Sequence, residues 1–151
     1  MAITGSKAVA ESINKVLTWL GYLAPLFDLA IRLWVANVFW KSGLTKIKSW
    51  DSTLMLFEYE YSVPLLPTNI AAFLATGAEL LFPVLLLVGF GSRFSALSLF
   101  ILNYVAVVSY PDISDAGIKD HMLWGTMLAV IFFHGPGLLS ADHFLRRRFL
   151  G

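Results

Sequence analysis

Four long apolar segments, separated by breakers that contain proline or glycine, constrain the fold of this chain more than any other feature. They cover about residues 17–40, 70–90, 94–110 and 121–139, and they do not alternate polar and apolar residues as barrel strands do. A hydrocarbon core about 30 Å thick is crossed by about 20 helical residues. The segments therefore predict an all-α membrane protein, in which residues 1–151 form one domain with four transmembrane helices in an antiparallel bundle.

The connections between these segments predict how the helices are joined. GFGSR at 89–93 leaves room only for a tight hairpin, so the second and third helices run antiparallel. The connection 41–68 is long and mixes Leu and Phe with Tyr and Glu, which predicts an interfacial segment between helices 1 and 2. Residues 1–16 form a polar lead-in, and residues 140–151 form a basic surface tail whose short helix has Ser140 as its predicted N-cap.

Lysine and arginine are slightly more numerous on the side of the membrane that carries both ends of the chain. The positive-inside rule therefore predicts cytoplasmic termini, with the basic tail against the anionic lipid of the inner leaflet. Four basic residues fall on the opposite side, and six fall on the cytoplasmic side: Lys7, Lys15, Arg93, Arg146, Arg147 and Arg148.

The composition excludes several classes of function. Only 14% of the residues are charged, whereas soluble domains average about 25%, and a net charge of +1 offers no field that would attract nucleic acid. The chain has no cysteine, which excludes disulfides, iron–sulfur clusters and any thiol relay carried by the chain itself. The sequence also contains no P-loop, dinucleotide fingerprint or nucleophile–base pair.

Charged residues inside the first apolar segment predict a polar interior. If a helix turns about 100° per residue, Asp28 and Lys46 both lie within about 40° of Arg32, whereas Asn37 lies about 140° away. A charge at the centre of a membrane helix costs about 2.5–3.5 kcal/mol when it faces lipid. The stripe that contains Arg32 should therefore face the bundle interior or a water-filled cavity.

The second segment supplies an acidic partner for this stripe. Glu79 lies near its midpoint, on a face of small residues that lets a neighbouring helix approach closely. We therefore predict one intramembrane ionic cluster, which could fix helix packing or form a pocket for a small ligand, a quinone headgroup or a proton path. The candidate pocket residues are Asp28, Arg32, Lys46, Glu79, Asn103, His121 and Trp124.

The spacing of the histidines argues against a haem held within one chain, and no metal-ligating residues are assigned. His121 and His134 would lie about 20 Å apart at opposite ends of one helix, which is too far for two ligands of a single iron. His121 follows Asp120 at the outer mouth of the fourth segment, where it could ligate a metal, pass a proton or simply hydrogen-bond a loop. The spacing leaves these three alternatives open.

Several short motifs together resemble the DoxX family of membrane proteins. They are RLWVANVFWKSGLTK at 32–46, VPLLP at 63–67, AELLFPVLLLVGFGSR at 78–93, YP at 110–111, DHMLW at 120–124 and GPGLLSAD at 135–142. The resemblance implies a four-helix protein of the bacterial inner membrane. It carries over no catalytic residues, only the polar positions Arg32, Gly43, Lys46, Glu79, Arg93 and His121.

The resemblance also implies a functional setting. Family names point to a thiosulfate:quinone oxidoreductase subunit and to thiol redox balance, and this version is similar to a subgroup encoded beside metal-stress genes. Our first hypothesis is an accessory or binding subunit of a redox or metal-stress system, with a quinone as the candidate cofactor. The alternatives are the membrane subunit of a quinone-linked oxidoreductase, and a small transporter or binder of a metal or peptide. Expected partners are the lipid bilayer, redox or metal-stress proteins and a second copy of the chain.

Overall fold

A computed structural model describes residues 2–149, with side chains described for residues 9–149. Within these residues the chain is all-helical and contains no strand. The helices are α1 (Ala2–Lys48), α2 (Trp50–Tyr59), α3 (Thr68–Val88), α4 (Ser92–Ser109), α5 (Asp115–His134) and α6 (Ala141–Phe149).

Four of these helices pack side by side around one apolar core. α1 lies against α3, α3 against α4, α4 against α5, and α5 returns to α1. The shorter helix α2 lies against α1 and α3. The residues that fill the core are apolar side chains from all four helices, including Val35, Phe39, Leu86, Leu99 and Leu128.

α1 and α3 approach each other closely because small residues lie between them. A Cβ atom added to Gly43 would lie 2.9 Å from Leu80 Cδ2 and 3.1 Å from Glu79 Cβ, so any larger residue would require α3 or the Leu80 side chain to shift. On α3, Ala72 and Thr76 are buried on the same face as Glu79. This is the small-residue face that the sequence predicts for the second segment.

Three helices within the described residues are long and apolar enough to cross a membrane: Val9–Lys48, Thr68–Val88 and Ser92–Ser109. α5 has 20 residues, but Asp115, Lys119 and Asp120 lie in its first two turns and reduce its mean hydropathy. A fourth spanning helix therefore stays a prediction.

α1 differs from its prediction in length and in the part that is packed. It continues unbroken to Lys48, and its part that lies against other helices begins at about Asp28. Residues 9–27 are almost entirely exposed, including Trp19 at 70% and Tyr22 at 74%. Mean hydropathy predicted residues 17–40 as the first segment because it does not distinguish one face of a helix from another. Packing instead follows the stripe of buried residues that begins at Arg32.

The tight turn between α3 and α4 agrees with the predicted hairpin. Gly89 and Gly91 have φ angles of +76° and +56°, which are in the left-handed region that glycine adopts without strain. The basic tail also agrees with its prediction, because Ser140 Oγ accepts a hydrogen bond from His143 N at 3.2 Å at the start of α6. Residues 150 and 151, the end of the predicted tail, lie outside the described residues.

Candidate functional site

An ion pair joins α1 and α3 beside an apolar cavity. Lys46 Nζ lies 2.6 Å from Glu79 Oε2 and 2.8 Å from Glu79 Oε1. Ser42 completes the group: its hydroxyl donates to Glu79 Oε1 at 3.2 Å and accepts from Lys46 Nζ at 2.9 Å. The Lys46 and Glu79 side chains are only 13% and 10% exposed, so each charge depends on its partner rather than on water.

The cavity, which we call the slot, has a volume of about 490 Å³ and lies along α3 and α4. Its walls are mainly aliphatic and aromatic, and Lys46 and Glu79 supply the charged part of its lining. Ser109 also lines the slot, and its buried hydroxyl has no hydrogen-bond partner within the described residues. Phe73 and Ile101 line the slot and are exposed, so the slot opens on an apolar part of the outer surface of the bundle.

Three aromatic rings stack on one another beside the slot, and two of them, Phe57 and Tyr61, line it. Tyr61 stacks on Phe57, with ring centroids 4.9 Å apart, and on Tyr110, with centroids 5.2 Å apart. A backbone hydrogen bond of 2.7 Å from Ser62 N to Ser109 O fixes this loop on the end of α4. Burial, together with the negative charge of Glu79, raises the pKa of the Tyr61 phenol. The phenol is therefore protonated at physiological pH and can donate a hydrogen bond.

A second cavity, which we call the groove, lies on the other side of the ion pair. It has a volume of about 630 Å³ and lies between the end of α1 and α2. Lys46 and Tyr61 line both the groove and the slot. The other polar residues of the groove are mostly hydroxyl-bearing: Ser42, Thr45, Ser49, Ser52, Thr53, Tyr59 and Glu60.

The predicted single ionic cluster is wrong in its arrangement, because Arg32 and Glu79 lie at different levels of the bundle. Arg32 donates to the backbone oxygens of Leu86 and Leu139. Leu86 follows Glu79 by seven residues on α3, which is about 10 Å along the helix axis. Arg32 and Lys46 do share the predicted buried stripe of α1, but four turns separate them, and only Lys46 reaches the glutamate.

Arg32 belongs to a second polar group, at the end of the bundle where α3 turns into α4. Its side chain is fully buried, and Asp28 and Asp142 are the carboxylates whose charges act on it. Asp142 accepts hydrogen bonds of 2.8 Å from both Gly91 N and Ser92 N, which caps the start of α4. This group therefore ties the segment after α5 to the α3–α4 turn.

Asn103, His121 and Trp124 form a third polar group, between α4 and α5. Asn103 Nδ2 donates to the backbone oxygen of His121 at 2.9 Å, which fixes the orientation of the amide. Asn103 Oδ1 then lies 2.7 Å from His121 Nδ1, so Nδ1 carries the proton and Nε2 of the neutral ring is an acceptor. The Trp124 ring contacts His121 edge-on, with centroids 4.9 Å apart.

Replacing Asn103 by leucine should destabilise the fold, because two hydrogen bonds between α4 and α5 are lost. We expect a cost of about 1–3 kcal/mol, or several degrees in the melting temperature of the detergent-purified protein. Asn69→Leu is the matched control, since Asn69 is exposed at the start of α3. Equal melting temperatures for the two variants would contradict this role of Asn103.

Sequence reasoning missed three residues of these groups. Ser42 contacts the ion pair and Tyr61 lines the slot. Neither a single serine nor an interfacial tyrosine forms a distinctive pattern in the sequence. Asp142 was visible only as the last residue of the GPGLLSAD motif, and nothing in the sequence indicated that it reaches α4. Within the described residues, no group of three or more His, Asp and Glu could hold a metal ion.

The apolar helices and the buried polar groups define a small integral membrane protein. The sequence profile of the DoxX family matches residues 27–111, more than half of the chain. The chain belongs to the DoxX family. It is 34% identical over 128 residues to an uncharacterized protein of Haemophilus influenzae, covering 79% of this chain and 83% of that protein. No solved structure matches the chain.

Proposed function

We propose that this protein binds a flat, largely apolar molecule of the quinone class in the slot, as a binding or accessory subunit of a redox system. The observation that carries this proposal is an apolar cavity of about 490 Å³ that is open toward lipid and has an ion pair in its wall. Ligand pockets commonly have volumes of about 300–1,000 Å³ and combine apolar walls with a few polar groups.

The residues of the slot suit the chemistry of a quinone headgroup. A quinone offers two carbonyl acceptors on a flat ring, and the protonated Tyr61 phenol and the Lys46 ammonium are donors beside the slot. Ser109 lines the same cavity, and its buried hydroxyl has no partner among the described residues. The opening at Phe73 and Ile101 would leave an isoprenoid tail in the lipid.

An accessory role is favoured over autonomous electron transfer. The chain has no cysteine, so a thiol-linked reaction would need an electron carrier on another protein. The groove, lined by hydroxyl groups on the other side of the ion pair, offers a polar surface for such a partner. An association with metal-stress or oxidative-stress proteins stays a prediction.

The same proposal includes an arrangement in the membrane. α5 would complete a bundle of four spanning helices, because its 20 residues measure about 30 Å and it packs between α4 and α1. α2 would lie at the outer interface. The three arginines of α6 would lie in the cytoplasm, against the inner leaflet of a bacterial inner membrane.

Binding of decylubiquinone to the purified protein in nanodiscs tests this function. Ala106→Trp should weaken binding at least tenfold by filling the slot, and Tyr61→Phe should weaken it about threefold to tenfold by removing one hydrogen bond. Val108→Trp is the matched control, because Val108 is on the same helix but does not line the slot. Quenching of tryptophan fluorescence, corrected for the added indole, and calorimetry give the affinity. Equal affinities for the Ala106 and Val108 variants would overturn the proposal.

A further inference from the structure

One face of α1 is apolar and exposed along the part of the helix that extends beyond the other helices. Its residues recur at intervals of four and three, which is the 3.5-residue period of two packed helices. Glu11, Asn14, Lys15 and Thr18 all lie off this face. We call the face the seam, and its first six residues are Val9, Ile13, Val16, Leu20, Leu23 and Phe27, which are 47–68% exposed.

The seam continues on the part of α1 that packs in the bundle. With the same spacing it passes through Ala30, Trp34, Asn37, Lys41 and Leu44, all of which are exposed. Asn37 lies at the edge of this face, where it also lines a small cavity beside Pro83 and Val84 of α3. Val9–Lys48 contains 40 residues and measures about 60 Å, twice the thickness of a hydrocarbon core. Lipid tails therefore cannot cover the whole apolar length of the seam.

Asn37 indicates what covers the seam. It lies near the middle of the packed part of α1, its side chain is exposed, and no residue that the structure describes is hydrogen-bonded to it. The hydrocarbon region offers no partner for an amide. Because an amide is both a donor and an acceptor, two copies of Asn37 related by a two-fold axis can satisfy each other.

We propose that a second copy of this chain packs along the seam and forms a parallel dimer. Both copies have the same orientation in one membrane, so their α1 helices run in the same direction about an axis normal to the membrane. The polar side of residues 9–27 carries one lysine and one glutamate, and it therefore lacks the cationic surface typical of a helix that lies on lipid headgroups. A helix with the same seam is the occupant that fits.

Disulfide cross-linking tests the dimer directly, because the native chain has no cysteine. Leu20→Cys, Leu23→Cys and Phe27→Cys place single thiols on the seam, and Thr18→Cys and Gly21→Cys are matched controls on the opposite side of the same helix. After oxidation with copper–phenanthroline in native membranes, we expect at least fivefold more covalent dimer at the seam positions. Equal cross-linking on both sides, or none on the seam, would overturn the proposal.

Asn37 variants test the polar contact within the membrane. In the Phe27→Cys background, Asn37→Leu should weaken the dimer about threefold to tenfold in detergent, whereas Asn37→Gln should keep most of it. The dissociation constant is measured by analytical ultracentrifugation of the reduced protein. A leucine variant that dimerises as tightly as the parent would overturn the contact between the two copies of Asn37. Neither outcome depends on the slot, so quinone binding and dimer formation can fail separately.

Discussion

Replacing Arg32 by leucine is expected to cost about 3–5 kcal/mol of stability and to lower the melting temperature by about 10 °C or more. The guanidinium is fully buried and is the donor to the carbonyls of Leu86 and Leu139. Leucine leaves both oxygens without this donor and removes the positive charge near Asp28 and Asp142. The segment after α5 should then detach from the α3–α4 turn.

The control for this experiment is Arg93→Leu, which removes an arginine from the same end of the bundle. Arg93 is exposed and donates to Phe133 O at 3.3 Å, so its loss should cost less than about 1 kcal/mol. The yield of protein in membranes and the melting temperature in detergent compare the two variants. If Arg32→Leu were as stable as Arg93→Leu but failed to bind decylubiquinone, Arg32 would serve the ligand rather than the fold.

Replacing only one residue of the Lys46–Glu79 pair is expected to lower the free energy of unfolding more than replacing both. Glu79→Leu leaves an ammonium group, and Lys46→Met leaves a carboxylate, in a site that is about nine-tenths buried, at a cost of about 3 kcal/mol each. The double variant leaves no uncompensated charge. We expect it to recover at least about 2 kcal/mol relative to the sum of the single losses.

Thermal unfolding of the four proteins gives this coupling energy, and Lys15→Met, which removes an exposed lysine of the same helix off the seam, is the matched control. The double variant also separates stability from binding, because it should fold well and bind decylubiquinone at least tenfold more weakly. Additive losses would mean that the two side chains do not interact. Full binding by a stable double variant would mean that the pair only supports the fold.

The sequence was sufficient to predict which faces of α1 and α3 are buried. A charged stripe and a row of small residues are periodic patterns, and lipid cannot accept the charge. Arg32 and Glu79 are indeed turned inward, and Asn37 is exposed as the helical angles predict.

The choice of partners could not be predicted in the same way. Helical angles give the face on which a residue lies, but they do not give the level of the neighbouring helix that it contacts. Three charges on one stripe therefore looked like a single cluster. The axial position of α1 relative to α3 depends on the contact between Gly43 and α3, which is a property of two helices rather than of one segment. Asp142 shows the same difficulty. It accepts a hydrogen bond from Ser92 N, although 50 residues separate the two in the chain.

The position of Lys46 and Tyr61 between two compartments has a thermodynamic consequence. Any occupant of the slot that draws the ammonium toward itself must weaken its bonds to Glu79 and to Ser42, and Ser42 lines the groove. A partner bound in the groove would then meet an altered surface, and by linkage it would change the affinity of the slot by an equal factor. A lipid-soluble ligand in the slot and a water-borne ligand in the groove should therefore change each other's affinity through the Lys46 side chain, which lines both cavities.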